Sequence, residues 1–182
     1  MVIRQTGLTL IEVLIAVLLL VVGLLGVFAL HSYAKRSSGA AANYAEALVA
    51  AADMADRIRL NSSQRDGYQS RSYGSGVLVA PTINCTGAIS RCSPAQLAAW
   101  DRYQWDQRLS GSAEQLAGRN LGTPTATTGC VFVDADRVDV VVAWQGRVAS
   151  EDSAAGYGST IQSCGSSGTK RRLALVSTVV AL

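Results

Sequence analysis

The sequence predicts an α+β protein: a long N-terminal helix, transmembrane and then amphipathic, packed on a small antiparallel sheet. Three observations predict it. From Val13 to Leu30, eighteen residues carry no charge and no proline, enough for a helix to cross a bilayer. After that run, Ala41, Tyr44, Leu48, Ala51, Ala55 and Ile58 follow a 3-4-3-4-3 spacing, the period of one helix face. Near the C-terminus, Val138, Val140, Val142 and Trp144 alternate at period two, the pattern of a strand with one buried face.

Taken in order, the chain opens with a helix whose apolar front begins at Leu8 and contains Gly23 and Gly26. Glu12 stands at its head. A carboxylate in a membrane helix costs roughly 2.5–3.5 kcal/mol at the bilayer centre, so it is a functional candidate that needs a partner. Thr9 and Glu12 also have capping-box spacing, with Leu8 and Val13 placed for a hydrophobic staple. Up to Leu60 only Ser37-Ser38-Gly39 weakens the helix, which at 1.5 Å per residue would span about 80 Å. Residues 61–92 read as loop, with Val77–Ala80 the one stretch able to form a short strand. Ser93-Pro94-Ala95-Gln96 starts a second helix with an N-cap, a proline at the first position and a Gln three residues on. It should run to Leu109 and stop at Gly111, with Trp105 and Leu109 on one face and the rings of Trp100 and Tyr103 used in packing. Residues 110–129 are turn-rich. Three strands follow: Cys130–Val133, then 138–144 after a turn at Asp134–Arg137, then Arg172–Leu182. The last is apolar on both faces, so the long helix should cover one of them. Between the second and third strands lies a Gly- and Ser-rich loop, Gln145–Lys170, in which Cys164 offers a tether.

Net charge is +3. No basic cluster interleaved with aromatics points to nucleic acid. Lys170-Arg171-Arg172 is the one basic triplet and reads as the flank of a strand. With a single histidine, His31, and no clustered carboxylates, neither a nucleophilic triad nor a metal hydrolase is supported. No enzyme activity and no cofactor is expected. The acid pairs Asp134/Asp136 and Glu151/Asp152 read as solvated turn residues. Cys85, Cys92, Cys130 and Cys164 all follow the apolar run, and an even count in an exported domain reads as two disulfides. The spacing lacks the C-x-x-C pair of a zinc site. Four cysteines allow three pairings; Cys85–Cys92, closing a tight loop, and Cys130–Cys164, joining the first strand to the long loop, are favoured if the strands form a meander.

Other readings of the N-terminus are a cleaved signal peptide ending near Ala29 or Ala34, and a plain signal anchor. Glu12 at the head of the run, and a run longer than the usual 7–15 residues, argue against the signal peptide. Arg4 precedes the run while Lys35 and Arg36 follow it, so loop charge alone does not orient it; the cysteines place the C-terminal part outside the cytoplasm.

Gly7-Leu8-Thr9-Leu10-Ile11-Glu12 resembles the processing site of the type IV pilin superfamily, except that Leu8 stands where Phe is preferred. The resemblance implies a prepilin leader at 1–7, cut after Gly7 by a prepilin peptidase that then methylates Leu8. It also implies that Glu12 pairs with the N-terminal amine of a neighbouring subunit during assembly. The implied organisation is pilin-like: a transmembrane and assembly helix at 8–30, its amphipathic continuation at 31–60, and a periplasmic globular domain at 61–182. Further stretches, VVGLLGV, ADMADRIRLN, WDRYQWDQRL, VDVVVAWQGR and RRLALVST, resemble PilV-type minor pilins, the type IV pilus modification proteins. That branch implies a chain held first in the inner membrane and then in the pilus tip. Its implied partners are other minor pilins, the major pilin and a large tip adhesin. Two alternatives carry over from the same residues: a minor pseudopilin of a type II secretion system, and a membrane-anchored periplasmic binding module.

Overall fold

The computed structural model describes residues 9–76, 78–86, 91–112, 115–117, 119–120, 124 and 126–181. Helix α1 runs Leu10–Leu60. It continues through Ser37-Ser38-Gly39, because a glycine or serine in a helix costs only on the order of 0.5–1 kcal/mol relative to alanine. The chain divides within α1 into two compact units, Met1–Ala42 and Asn43–Leu182.

In the second unit, α1 is followed by a 3-10 turn at Ser62–Tyr68 and strand β1 at Ser70–Tyr73. Helix α2, Pro94–Leu109, begins as its sequence requires. Ser93 Oγ accepts from the Gln96 N–H and the Gln96 side chain accepts from the Ser93 N–H, so two backbone donors are satisfied reciprocally. It ends at Ser110, and Gly111 takes the left-handed φ of +72° that terminates a helix cleanly. A two-residue hairpin, β2 (Gln115–Leu116) and β3 (Arg119–Asn120), precedes the main strands β4 (Thr128–Asp134) and β5 (Arg137–Gln145). A short helix α3 (Ser159–Gln162) interrupts the long loop before β6, Arg171–Val179. The main sheet is antiparallel in the order β1-β4-β5-β6. Asp134 pairs with Arg137 across the β4–β5 turn.

Pleating divides the sheet's side chains between two cores. On the inner face Val131, Val138, Val140, Val142 and Ala174 pack with Ala47, Ala50, Ala51, Met54, Ala55 and Ile58 of α1 and with Trp105 and Leu109 of α2. On the outer face Cys130, Phe132, Val141, Ala143 and Leu173 pack under Ala154, Ile161 and Cys164 of the loop. The first half of the last strand, at Leu173 and Ala174, is thus covered on both sides, while toward Val179 its outer face is open.

The structure corrects four expectations. The buried stripe of α1 keeps Ala51, Ala55 and Ile58 of the predicted face but is rotated toward its N-terminal end, where Tyr44 and Leu48 remain 49% and 37% exposed while Ala47, Ala50 and Met54 are buried. Alanines let the helix approach closely, and Trp105 Nε1 donates to the Ala50 carbonyl at 2.9 Å. Residues 61–92 are not all loop, because β1 pairs with β4. Its only large apolar side chain, Tyr73, is too little pattern to announce a strand. Leu78–Ala80 forms no strand, and Val77 lies outside the described residues. Finally, Asp152 is not a freely solvated turn residue, for reasons given below.

Close approach also determines Gly129. A Cβ there would meet the Trp105 ring at 2.5 Å, with the Leu109 side chain against it as well. Trp105 and Leu109 are buried and cannot withdraw without opening the core. Gly129→Ala is expected to lower stability by about 1–3 kcal/mol, the range for overpacked cores, read from the urea midpoint of the full chain.

Candidate functional site

The first candidate is the front of α1. Between Leu10 and Leu30 its large apolar side chains stand exposed, Leu10 at 79% and Phe28 at 70%. Fully burying one such side chain is worth about 1.5–3 kcal/mol, so a surface of this kind requires a bilayer or other helices around it. The helix is long and apolar enough to cross a membrane by length and composition. Glu12 lies exposed in its first turn, and its N–H donates to the Thr9 carbonyl at 3.0 Å. A carboxylate here complements the positive end of the helix dipole and leaves its oxygens open to a further cation. Gly7 and Leu8, the residues expected to be processed, lie outside the described residues.

The second candidate is the strap between β5 and β6. Cys130 and Cys164 are disulfide-bonded with Cα atoms 5.9 Å apart, which ties the strap to β4. Arg171, 3% exposed, ties it to β6. Its Nε donates to Asp152 Oδ1 at 2.7 Å, and its Nη1 donates to the carbonyls of Gln162 at 2.7 Å and Cys164 at 3.1 Å. Asp152 also accepts from the N–H groups of Gly168 and Ala154. The Arg171 guanidinium, with those two N–H groups, holds the Asp152 carboxyl well below the usual carboxylate range. A depressed folded value means the pair's contribution is complete above the unfolded carboxylate value of about 3.9 and is lost as the pH falls from there toward the folded value. Asp152→Asn is therefore expected to lower the urea midpoint at pH 7, with the gap from the native chain closing as unfolding is repeated toward pH 2. A gap that stays constant with pH would remove the ion pair as its cause.

A third cluster joins α1 to α2. Asp101, 5% exposed, accepts from Arg57 Nη1 and from the Tyr68 hydroxyl, both at 2.8 Å. Asn61 Nδ2 donates to Tyr68 Oη and to the Pro94 carbonyl. Burial pushes the Tyr68 phenol above its usual value, and the adjacent Asp101 adds to this. Two acids of α2, Asp101 and Asp106, are thus buried as hydrogen-bond acceptors; Asp106 Oδ1 takes the Gly74 N–H at 2.7 Å. Sequence reading missed this cluster. The signal was a helix with Asp on the same side as Trp105 and Leu109, but which donors would meet those acids depends on chain segments far away. Cys85 and Cys92, bonded with Cα atoms 6.0 Å apart, close the loop ahead of α2.

Among the described residues, no group of three or more His, Cys, Asp or Glu side chains is placed to hold a metal ion. The cleft between α1, α2 and β5 is shallow, and Ala47, Ala50 and Leu109 line it beside Glu46, Arg108 and Trp144. What these features can do is present an uncovered apolar helix and, within the second unit, hold a small sheet against residues 47–58 of α1.

Residues 29–103 match the family model described as Tt1218-like, type IV pilin Tt1218. This stretch is similar to type IV pilins. The similarity covers less than half of the 182 residues. It begins inside the apolar run and takes in the rest of α1, β1, the Cys85–Cys92 loop and α2 as far as Tyr103. It therefore includes Asn61, Tyr68 and Asp101, and it stops short of the strap. No curated protein matches the chain, and no solved structure does.

Proposed function

We propose that this chain is a minor pilin, a structural subunit used in assembling a type IV pilus. In this reading residues 1–7 are a leader removed by a prepilin peptidase, and 8–30 hold the mature chain in the inner membrane. Residues 31–60 continue the helix, and 61–182 form the periplasmic globular domain. The subunit then passes with other minor pilins and the major pilin into the filament. The PilV-like stretches favour a place in a tip complex that helps display a large adhesin. The observation that carries the reading is the continuity of α1. An uncovered apolar front with one carboxylate in its first turn continues directly into a stretch similar to type IV pilins. The Gly7-to-Glu12 motif supports it from residues that the family match does not include.

A deletion strain tests the class. Loss of surface pili and twitching with enzyme secretion intact supports a pilus subunit. Loss of secretion with pili intact makes the chain a pseudopilin, and neither loss makes it an anchored binding module. Processing has its own test: Gly7→Arg should leave the leader attached and the chain in the membrane, whereas the native chain should begin at a methylated Leu8 by N-terminal mass spectrometry. Mature-length protein from the Gly7→Arg gene would exclude cleavage at this bond.

A further inference from the structure

We infer that the open edge of β6 is a docking strand, which takes an extended, uncharged segment of another protein as a fifth strand of the main sheet. Strand order leaves β6 at the edge, paired on one side with β5. Which of its backbone groups face outward follows from Arg171. That residue stands opposite Gln145, yet its N–H donates to the Gly168 carbonyl and its carbonyl accepts from Ser153. Arg171 therefore points away from β5. In an antiparallel ladder the facing alternates residue by residue. Arg172, Ala174, Val176 and Thr178 then bond to β5, while Leu173, Leu175, Ser177 and Val179 direct N–H and carbonyl groups outward. Val180, whose N–H donates to the Asp136 carbonyl at 2.7 Å, has the parity this requires. Among the described residues no other backbone group bonds to that outward row.

The geometry of the row names the kind of occupant. Alternating donors and acceptors two residues apart are matched by another extended chain; a lipid or a small apolar ligand leaves them unpaired. The edge also lacks the usual protection. From Leu173 to Leu182 there is no charge, proline or glycine, where edges that stay open in solution carry charges, bulges or very short strands. The opposite edge shows the contrast: β1 has four residues, an irregular register and Arg71. Side chains refine the partner. On the outer face Leu175 is half-buried and Val179 is 72% exposed, with Ser177 between them bonded to Asp139 and Arg137, so the incoming strand should be apolar beside Leu175 and Val179 and polar beside Ser177. On the inner face Ala174 is buried in the main core and Val176 packs against it, while Thr178 accepts from Arg59 Nε at 2.8 Å, so the incoming strand should be apolar beside Val176 and polar beside Thr178.

A second copy of the chain is the other occupant an open edge could take, and the mass of the crosslinked adduct below distinguishes it.

The test uses the full chain in detergent micelles and a Lys-flanked synthetic peptide of alternating Val and Thr. In the chain alone, the amides of Leu175, Ser177 and Val179 should exchange rapidly with solvent while those of Val176 and Thr178 exchange slowly. Added peptide should slow the first set only, and Ser177→Pro, which removes an outward donor at a position where an edge tolerates proline, should weaken the peptide at least tenfold. In cells, a photo-crosslinking residue at position 177 should give an adduct with a different protein, lost when Val179→Lys is added. Slow exchange of Leu175, Ser177 and Val179 in the chain alone, no peptide effect, or an adduct of twice the chain's own mass each overturns the inference. The peptide experiment does not depend on pili, so its outcome stands apart from that of the Gly7 variant.

Discussion

A chain carrying Glu12→Ala is expected to accumulate in the membrane at mature length and to be depleted from sheared pili by tenfold or more. Glu12 has two roles open to it, and they differ in size. As a first-turn carboxylate it favours the helix by about 0.3–1 kcal/mol, and losing that would barely touch a helix of 51 residues. As a charge in a bilayer it costs roughly 2.5–3.5 kcal/mol near the centre, and pairing with a cationic amine offsets that cost where water does not compete. The charged role is the larger: the bilayer-centre figure corresponds to roughly a hundredfold in the partition between membrane and filament, and the smaller cost at the head of the run to about tenfold. Glu12→Gln separates the two, since it keeps the side chain's shape and loses its charge. It should fail like Glu12→Ala. The fraction of chain in the pilus preparation, by immunoblot against the membrane pool, reads the effect. An unchanged fraction for both variants would leave Glu12 as a helix cap only.

The second large effect is on stability. Replacing Cys130 and Cys164 together by alanine should lower the unfolding free energy by about 3–4 kcal/mol, the loop-entropy value for a separation of 34 residues. Both cysteines are fully buried, so the variant also loosens the outer-face packing against Ile161 and Ala154. Arg171 still holds the strap through Asp152 and two carbonyls, so the sheet and α1 should persist. Hydrogen exchange should show fast amides across residues 146–170 and slow ones in β4 and β5. The Cys85–Cys92 bond closes a separation of seven residues, and its loss should cost less, about 2–2.5 kcal/mol on the same relation. A double alanine variant at 130 and 164 with an unshifted urea midpoint would show that the strap's polar ties, Arg171 first among them, hold it without the disulfide.

The sequence by itself determined the elements whose cause is local. The apolar run makes α1's front, Ser93-Pro94 with Gln96 starts α2, and the alternating valines make β5. Each depends on period or capping within a few residues, so no distant contact can be mistaken in reading it. Glu12 was legible for the same reason, as the one charge at the head of an uncharged run. Tertiary structure decided what depends on neighbours brought from far along the chain. It centred the buried stripe of α1 on Ala47, Ala50, Ala51 and Met54 and left Tyr44 at its edge, half-exposed with its ring 6.3 Å from that of Trp144, because alanines let the helix approach the sheet closely. It made a strand of Ser70–Tyr73 by offering the free side of β4. It buried Asp101 beside Arg57 and Tyr68, a contact no local pattern announces, and closed Asp152 on Arg171 where the sequence read a solvated turn residue. A buried charge is stable only with its partner in place, and the identity of that partner is a property of the fold.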